Sequence, residues 1–248
     1  MLAAIIVISL LAGRIGGLPL AAGQFVFLFY AACRYAHFLL MMDLWHYARV
    51  LAQDRSCDEN ALTKRLVQHC EERALAEIKS GKTDEIVIAG HSIGAALAVE
   101  LADRLSAKTN VPVGVLTLGS GLLQVACQPQ AQRFRDMAKR LLTGGTAWLD
   151  VQALIDPINF LHANLDKTYG IASAHYREII IRMRHVLSDA TYRRIKYNCF
   201  RVHRQYVLPV EVRQKYSFHM MMAGPTPLLE LARNGGLPEP AEMIEAVT

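Results

Sequence analysis

The sequence predicts an α/β protein: a mostly parallel sheet with flanking helices, preceded by an N-terminal hydrophobic helical segment. Three observations lead there. Two short runs, Ile86-Val87-Ile88-Ala89 and Val113 to Leu118, are apolar and rich in β-branched residues, the pattern of strands buried on both faces. Between them, residues 92–107 carry a helical period, so strand, helix and strand follow in the order that builds a parallel sheet. The hydrophobic content is 52%, and its excess is concentrated at the front of the chain.

That front begins with the run MLAAIIVISLLAG, is interrupted at Arg14–Gly17, and resumes from Leu18 to Met42 with Arg34 and His37 as its polar breaks. A bilayer-crossing helix needs about 20 apolar residues, which the second run supplies if Arg34 reaches the interface. A membrane hairpin turning at 14–17 is the leading reading. A secretory signal is disfavoured, because no basic stretch precedes the apolar run. A buried strand at 3–11 followed by a core helix is the third reading. The chain therefore divides into a membrane-associated segment, 1–44, and an α/β domain, 45–248. Arg34, Arg49, Arg55, Lys64 and Arg65 follow the second run and place that domain on the cytoplasmic side.

Within the domain, Ser56-Cys57-Asp58-Glu59 has the form of a capping box, and Leu62, Leu66, Cys70, Ala74 and Ile78 recur at helical spacing up to Gly81. The first strand occupies 85–89. The next helix runs from Ser92 to Ala107, with Ile93, Leu97, Leu101 and Leu105 on one face and Glu100 and Arg104 paired on another. After the strand at 113–118 come Gly119-Ser120-Gly121, a basic helix around 130–142, and a strand near 147–155. A helix is expected over 173–187 and a strand over 199–207.

The junction of the first strand with its helix reads Gly90-His91-Ser92-Ile93-Gly94, a G-x-S-x-G pattern. The pattern is informative because a buried strand enters it and a helix leaves it. On such a turn a serine sits in a strained conformation at the tip. Small residues at 90 and 94 let strand and helix pass closely. The amide of Ile93, in the first helical turn, faces any negative charge that develops beside Ser92. No G-x-G-x-x-G or Walker lysine supports a nucleotide site instead.

Residues 86–98 resemble the nucleophile elbow of α/β-hydrolases, class 3 lipases most of all. Leu116 to Ser120 resembles the strand that follows that elbow. Trp148 through Asp156-Pro157-Ile158 resembles the strand whose end carries the family's acid. The resemblance covers residues 84–160 and implies an α/β-hydrolase-like fold with a Ser-His-Asp triad acting on carboxylic esters, lipids among them; ahead of the elbow, either residues 3–17 form the missing strand and Gly-rich loop or the fold is abbreviated. No cofactor is implied.

A serine hydroxyl needs a histidine to accept its proton and an acid to orient that histidine. In the order serine, acid, histidine, Asp156 is the candidate acid, with Asp150 as competitor earlier on the same strand. His203 and His219 are both candidates for the base. His203 has the more defined aromatic and polar setting, and His219 the loop position. No HGGG-type motif lies upstream to give a second oxyanion donor, so a non-catalytic, membrane-anchored scaffold or binding protein of the same fold is the alternative.

The net charge is +5, and residues 177–204 hold eight Arg or Lys against two acids. This run reads as a solvated face or a surface for anionic headgroups. No nucleic-acid motif accompanies it. The five cysteines form no CxxC pair and read as reduced. His69 beside Cys70 finds no second ligand pair, so no metal is expected.

Overall fold

The computed structural model describes residues 17–53 and 61–238, with backbone alone at 17–22 and 32–41. The run at 1–13, the break at 14–16, the capping box at 56–59 and Cys57 lie outside the described residues. The chain divides into two compact units, Met1–Tyr47 and Ala48–Thr248.

Helix α1 is Gly17–Ala52 and α2 is Ala61–Lys79. There follow β1 (Ile86–His91), a single 3-10 turn (Ser92–Gly94), α3 (Ala95–Ser106) and β2 (Val113–Leu118). Next come α4 (Leu122–Ala126), α5 (Gln132–Thr143), β3 (Ala147–Ala153), α6 (Leu165–Tyr169) and β4 (Tyr176–Ile181). The remaining helices are α7 (Met183–Val186), α8 (Asp189–Ile195), α9 (Cys199–Arg204), α10 (Phe218–Ala223) and α11 (Leu228–Asn234).

In the first unit, the side chains of Phe25 to Tyr30 on α1 are 49–69% exposed, all six apolar or aromatic and consecutive. Consecutive positions sample every side of a helix, so no single buried stripe accounts for them. Among the described residues no helix is long and apolar enough to cross a membrane.

The second unit is built on a four-stranded sheet of order β1-β2-β3-β4, with every neighbouring pair parallel. Strands laid down in sequence, each beside the last and in the same direction, send successive crossovers over one face, because such crossovers share one hand. The core follows that rule. Val113, Val115, Trp148 and Tyr176 pack with residues of α3, α4, α5 and α6, all of them crossover helices. The opposite face, with Leu116, Leu118, Leu149, Val151, Ile179 and Ile181, would be bare without the segment after β4. Met183, Ile195, Val202, Met221, Leu228 and Leu231 of α7 to α11 cover it.

The buried face of α3 is not the leucine stripe that its periodicity suggests. Ala95, Ala98, Val99, Ala102 and Leu105 are buried, whereas Ile93, Leu97 and Leu101 are only partly so. Small side chains let the helix lie close on β1, and Gly90 is the point of nearest approach. A Cβ there would stand 2.5 Å from Ala95 Cα. Glu100 is buried and paired with Arg104 at 3.1 Å and Arg133 at 3.3 Å, so its pairing ties α3 to α5 rather than decorating a surface.

Two expected elements change type. Residues 173–187 form β4 and the single turn of α7 instead of one helix. The β-branched run Ile179-Ile180-Ile181 fits a strand, and Tyr176, Ile179 and Ile181 are buried against the sheet's neighbours. Residues 199–207 form α9 and a 3-10 turn instead of a strand. Asn198 caps α9 by accepting the Arg201 amide at 3.0 Å, and the buried residues Val202 and Tyr206 fall four apart, a helical spacing.

Candidate functional site

The carboxyl ends of parallel strands point to one edge, where the connecting loops gather and ligands bind in open α/β sheets. Ser92 leaves β1 there, Gly119 to Gly121 leave β2, and Asp156 follows β3.

Ser92 has φ of 57°, a left-handed conformation that costs a residue with a Cβ. The surroundings hold it there. Its carbonyl accepts the Gly121 amide at 3.1 Å, and Gly90, with no Cβ, lets the strand that enters the turn lie close against the start of α3. Gly94 plays a different part from the one its place in the pattern suggests. A Cβ on Gly94 would meet nothing within 4 Å, so it is not needed for the strand–helix approach. Ile93 follows Ser92 in the first helical turn, where amides have no intrahelical acceptor.

Asp156 and His203 meet. The His203 Nδ1 lies 2.7 Å from Asp156 Oδ2, and both residues are buried. The second carboxylate oxygen, Oδ1, accepts the Ile158 amide at 3.0 Å, a local Asx-type turn that fixes the side chain's direction. Since a carboxylate only accepts, Nδ1 carries the proton, which leaves Nε2 as the free nitrogen in a neutral ring. That Nε2 is buried and has no hydrogen-bond partner among the described residues. His203 sits on the inner side of α9, while Arg201 and Arg204 on the same helix are exposed.

Two aromatic neighbours frame the His203 ring. The ring of His91, next in the chain to Ser92, has its centroid 4.6 Å away, and that of Tyr206 is edge-on at 6.0 Å. His91 Nε2 lies 2.9 Å from the carbonyl oxygen of His203. Burial, and secondarily the nearness of His203, push the His91 imidazole below its ordinary value. The Tyr206 hydroxyl accepts the Ala153 amide at 2.7 Å, at the end of β3. Burial pushes its phenol far up, and the Asp156 carboxylate pushes the same way. Gly119, with φ of 50°, must be glycine, because a Cβ would stand 2.5 Å from the Tyr206 ring. The Tyr216 hydroxyl donates to the Tyr206 carbonyl, closing the frame.

Among the described residues, Asp150 bonds to no histidine. It is buried on the α3 side of the sheet, where Thr117 Oγ1 donates to it at 2.6 Å, Gln152 Nε2 at 2.8 Å and the Tyr176 hydroxyl at 3.4 Å. Burial pushes its carboxyl up. Trp148 Nε1 donates to Thr117 Oγ1 at 3.1 Å, and Gln152 Oε1 accepts the His162 amide at 2.7 Å. This network braces the loop that carries Asp156. His219 is exposed on α10, with its ring against Phe218 at 5.4 Å, and it does not join Asp156.

Of the residues singled out in the sequence, the structure thus gathers Gly90, His91, Asp156 and His203 around the Ser92 turn, with Ile93 on it. Tyr206 and the bond made by His91 were missed. Tyr206 falls three residues after His203, a spacing that shares a helix face, but that signal is readable only once the segment is known to be helical. Among the described residues no group of three or more His, Cys, Asp or Glu is placed to hold a metal ion. Comparison of the chain with family models, curated proteins and solved structures gave no match.

Proposed function

We propose that the chain is a membrane-associated serine hydrolase acting on carboxylic esters, lipids among them, through Ser92, His203 and Asp156. The observation that carries this reading is the Asp156–His203 hydrogen bond, with His203 Nε2 buried and unpartnered and its ring against the residue that precedes a strained serine. An unpaired buried nitrogen is costly to the fold, and a catalytic role is one reason for a protein to keep one.

In this mechanism the Ser92 Oγ attacks the ester carbonyl carbon while His203 Nε2 takes the hydroxyl proton. Asp156 holds the imidazole in the required tautomer and stabilises the imidazolium. The Ile93 amide donates to the oxygen that gains negative charge. Collapse of the tetrahedral intermediate expels the alcohol, which takes the proton from His203. Water, activated by the same histidine, then releases the acid and restores Ser92.

The exposed apolar run Phe25 to Tyr30 supports contact with a lipid phase, since water-facing patches of that kind are rare on soluble proteins. Arg49, Lys64 and Arg65 beyond it favour a cytoplasmic position for the hydrolase unit.

The test is covalent labelling with a fluorophosphonate probe. Labelling of the wild type that disappears in Ser92→Ala supports the hydrolase. A folded wild type that stays unlabelled overturns it and leaves the scaffold of the same fold.

A further inference from the structure

We propose that His91 is a positioning residue: its Nε2–H bonds the His203 carbonyl and fixes the histidine-bearing helix against the serine turn. The inference rests on the roles given above to Ser92 and His203.

The His203 carbonyl lies in the last turn of α9, where carbonyls have no intrahelical partner. His91 Nε2, at 2.9 Å, supplies one. A carbonyl only accepts, so Nε2 must carry the proton and Nδ1 is bare in the neutral ring. The environment keeps that ring neutral, because burial and His203 both disfavour a charge on it.

The connection is short in both directions. His91 is extended, with φ of −103° and ψ of 136°, and is covalently bonded to Ser92. One residue therefore joins the nucleophile's backbone to that of the base. Asp156 fixes the other side of the same histidine, through Nδ1. With Asp156 alone, the imidazole would keep its tautomer but could swing with α9, which has only six residues. With His91 as well, both the ring and its backbone are tied to the carboxyl edge of the sheet. The contact of the two rings, with centroids 4.6 Å apart and planes tilted by 37°, limits how far the His203 ring can move toward β1.

An apolar side chain would fill the same space, so the requirement is for the donor. Phenylalanine keeps a ring and loses the donor. Glutamine places an amide N–H at a reach similar to that of Nε2 and loses the ring.

The experiment compares wild type, His91→Phe and His91→Gln in the full chain, at matched thermal midpoints. Hydrolysis of p-nitrophenyl butyrate is read as kcat and KM separately. Histidine proton and nitrogen NMR reads the low-field Nδ1–H of the His203–Asp156 bond and the His91 tautomer. A misplaced reacting group costs up to about a hundredfold. His91→Phe is expected to lower kcat by about tenfold to a hundredfold with KM unchanged, and to shift or broaden the His203 Nδ1–H signal. His91→Gln is expected to recover most of both. A His91→Phe variant with unchanged kcat or an unchanged Nδ1–H signal overturns the positioning role. A wild type without esterase activity, but with a signal that depends on His91, sinks the hydrolase reading and leaves the positioning role standing.

Discussion

Asp156 and His203 are 47 residues apart in the chain and 2.7 Å apart in space, joined through one carboxylate oxygen and one ring nitrogen. The carboxylate comes from the loop after β3 and the imidazole from α9, which follows β4 in the chain. His219, the other histidine of the sequence reading, lies exposed on α10.

The two histidines should separate cleanly under mutation. His203→Ala is expected to lower kcat on a p-nitrophenyl ester by about 10³-fold or more, with KM little changed, as loss of a triad member does. His219→Ala should leave both constants within about twofold, since nothing near it takes part in the proposed chemistry. Steady-state kinetics on the two purified variants decide this. An inactive His219→Ala with active His203→Ala would reverse the assignment.

The two glycines of the elbow should behave oppositely. Gly90→Ala forces a Cβ to 2.5 Å from Ala95 Cα, a backbone atom that cannot give way cheaply. Overpacking of this kind costs about 1–3 kcal/mol. Gly94→Ala meets nothing within 4 Å, at a helical φ of −62°. Alanine there should be neutral, or stabilising by up to about 1 kcal/mol, because it restricts the unfolded chain. Urea unfolding of the pair measures both.

Asp150 should matter for stability and, through the loop it braces, for the Asp156 position. Asp150→Ala leaves Thr117 Oγ1 and Gln152 Nε2 without their acceptor inside the sheet. Leaving such groups unpaired costs about 3 kcal/mol in total. Because burial raises its carboxyl above the unfolded value, the folded form binds the proton more tightly. Its contribution is then full below the ordinary value of 3.8 and is lost as pH rises through the raised one. Asp150→Asn, which cannot titrate, should abolish that loss. Urea midpoints across acid and neutral pH compare the three proteins.

His91 gives the opposite slope. Its folded-state value is lowered, mainly by burial, so the unfolded chain binds the proton more readily. Its contribution to stability is full above the ordinary value of 6.5 and is lost as pH falls below it. The wild type should therefore lose more stability between pH 7 and pH 5 than His91→Gln does. Equal losses, measured by urea midpoints at the two pH values, would show that His91 is not held neutral in the fold.

The sequence alone determined what is local. The apolar β-branched runs at 86–89 and 113–118, with a helical period between them, read as strand, helix and strand, and the G-x-S-x-G pattern placed Ser92 at the turn. Asp156 was legible because a proline ends its segment just after an apolar strand. Those signals involve neighbours in the chain, so periodicity and turn chemistry suffice to read them. The tertiary structure decided which histidine reaches Asp156. That choice depends on 176–181 being a strand and 199–204 a helix, which short apolar runs leave open because both periods fit them. It also decided that Asp150 faces Thr117 and Gln152, since alternation along β3 fixes a face only once β2 and β4 are in register. The His91–His203 bond spans 112 residues of chain, and no spacing rule connects them. It exists because parallel strands deliver their loops to one edge, and because the segment after β4 must fold back over the face that the crossover helices leave bare.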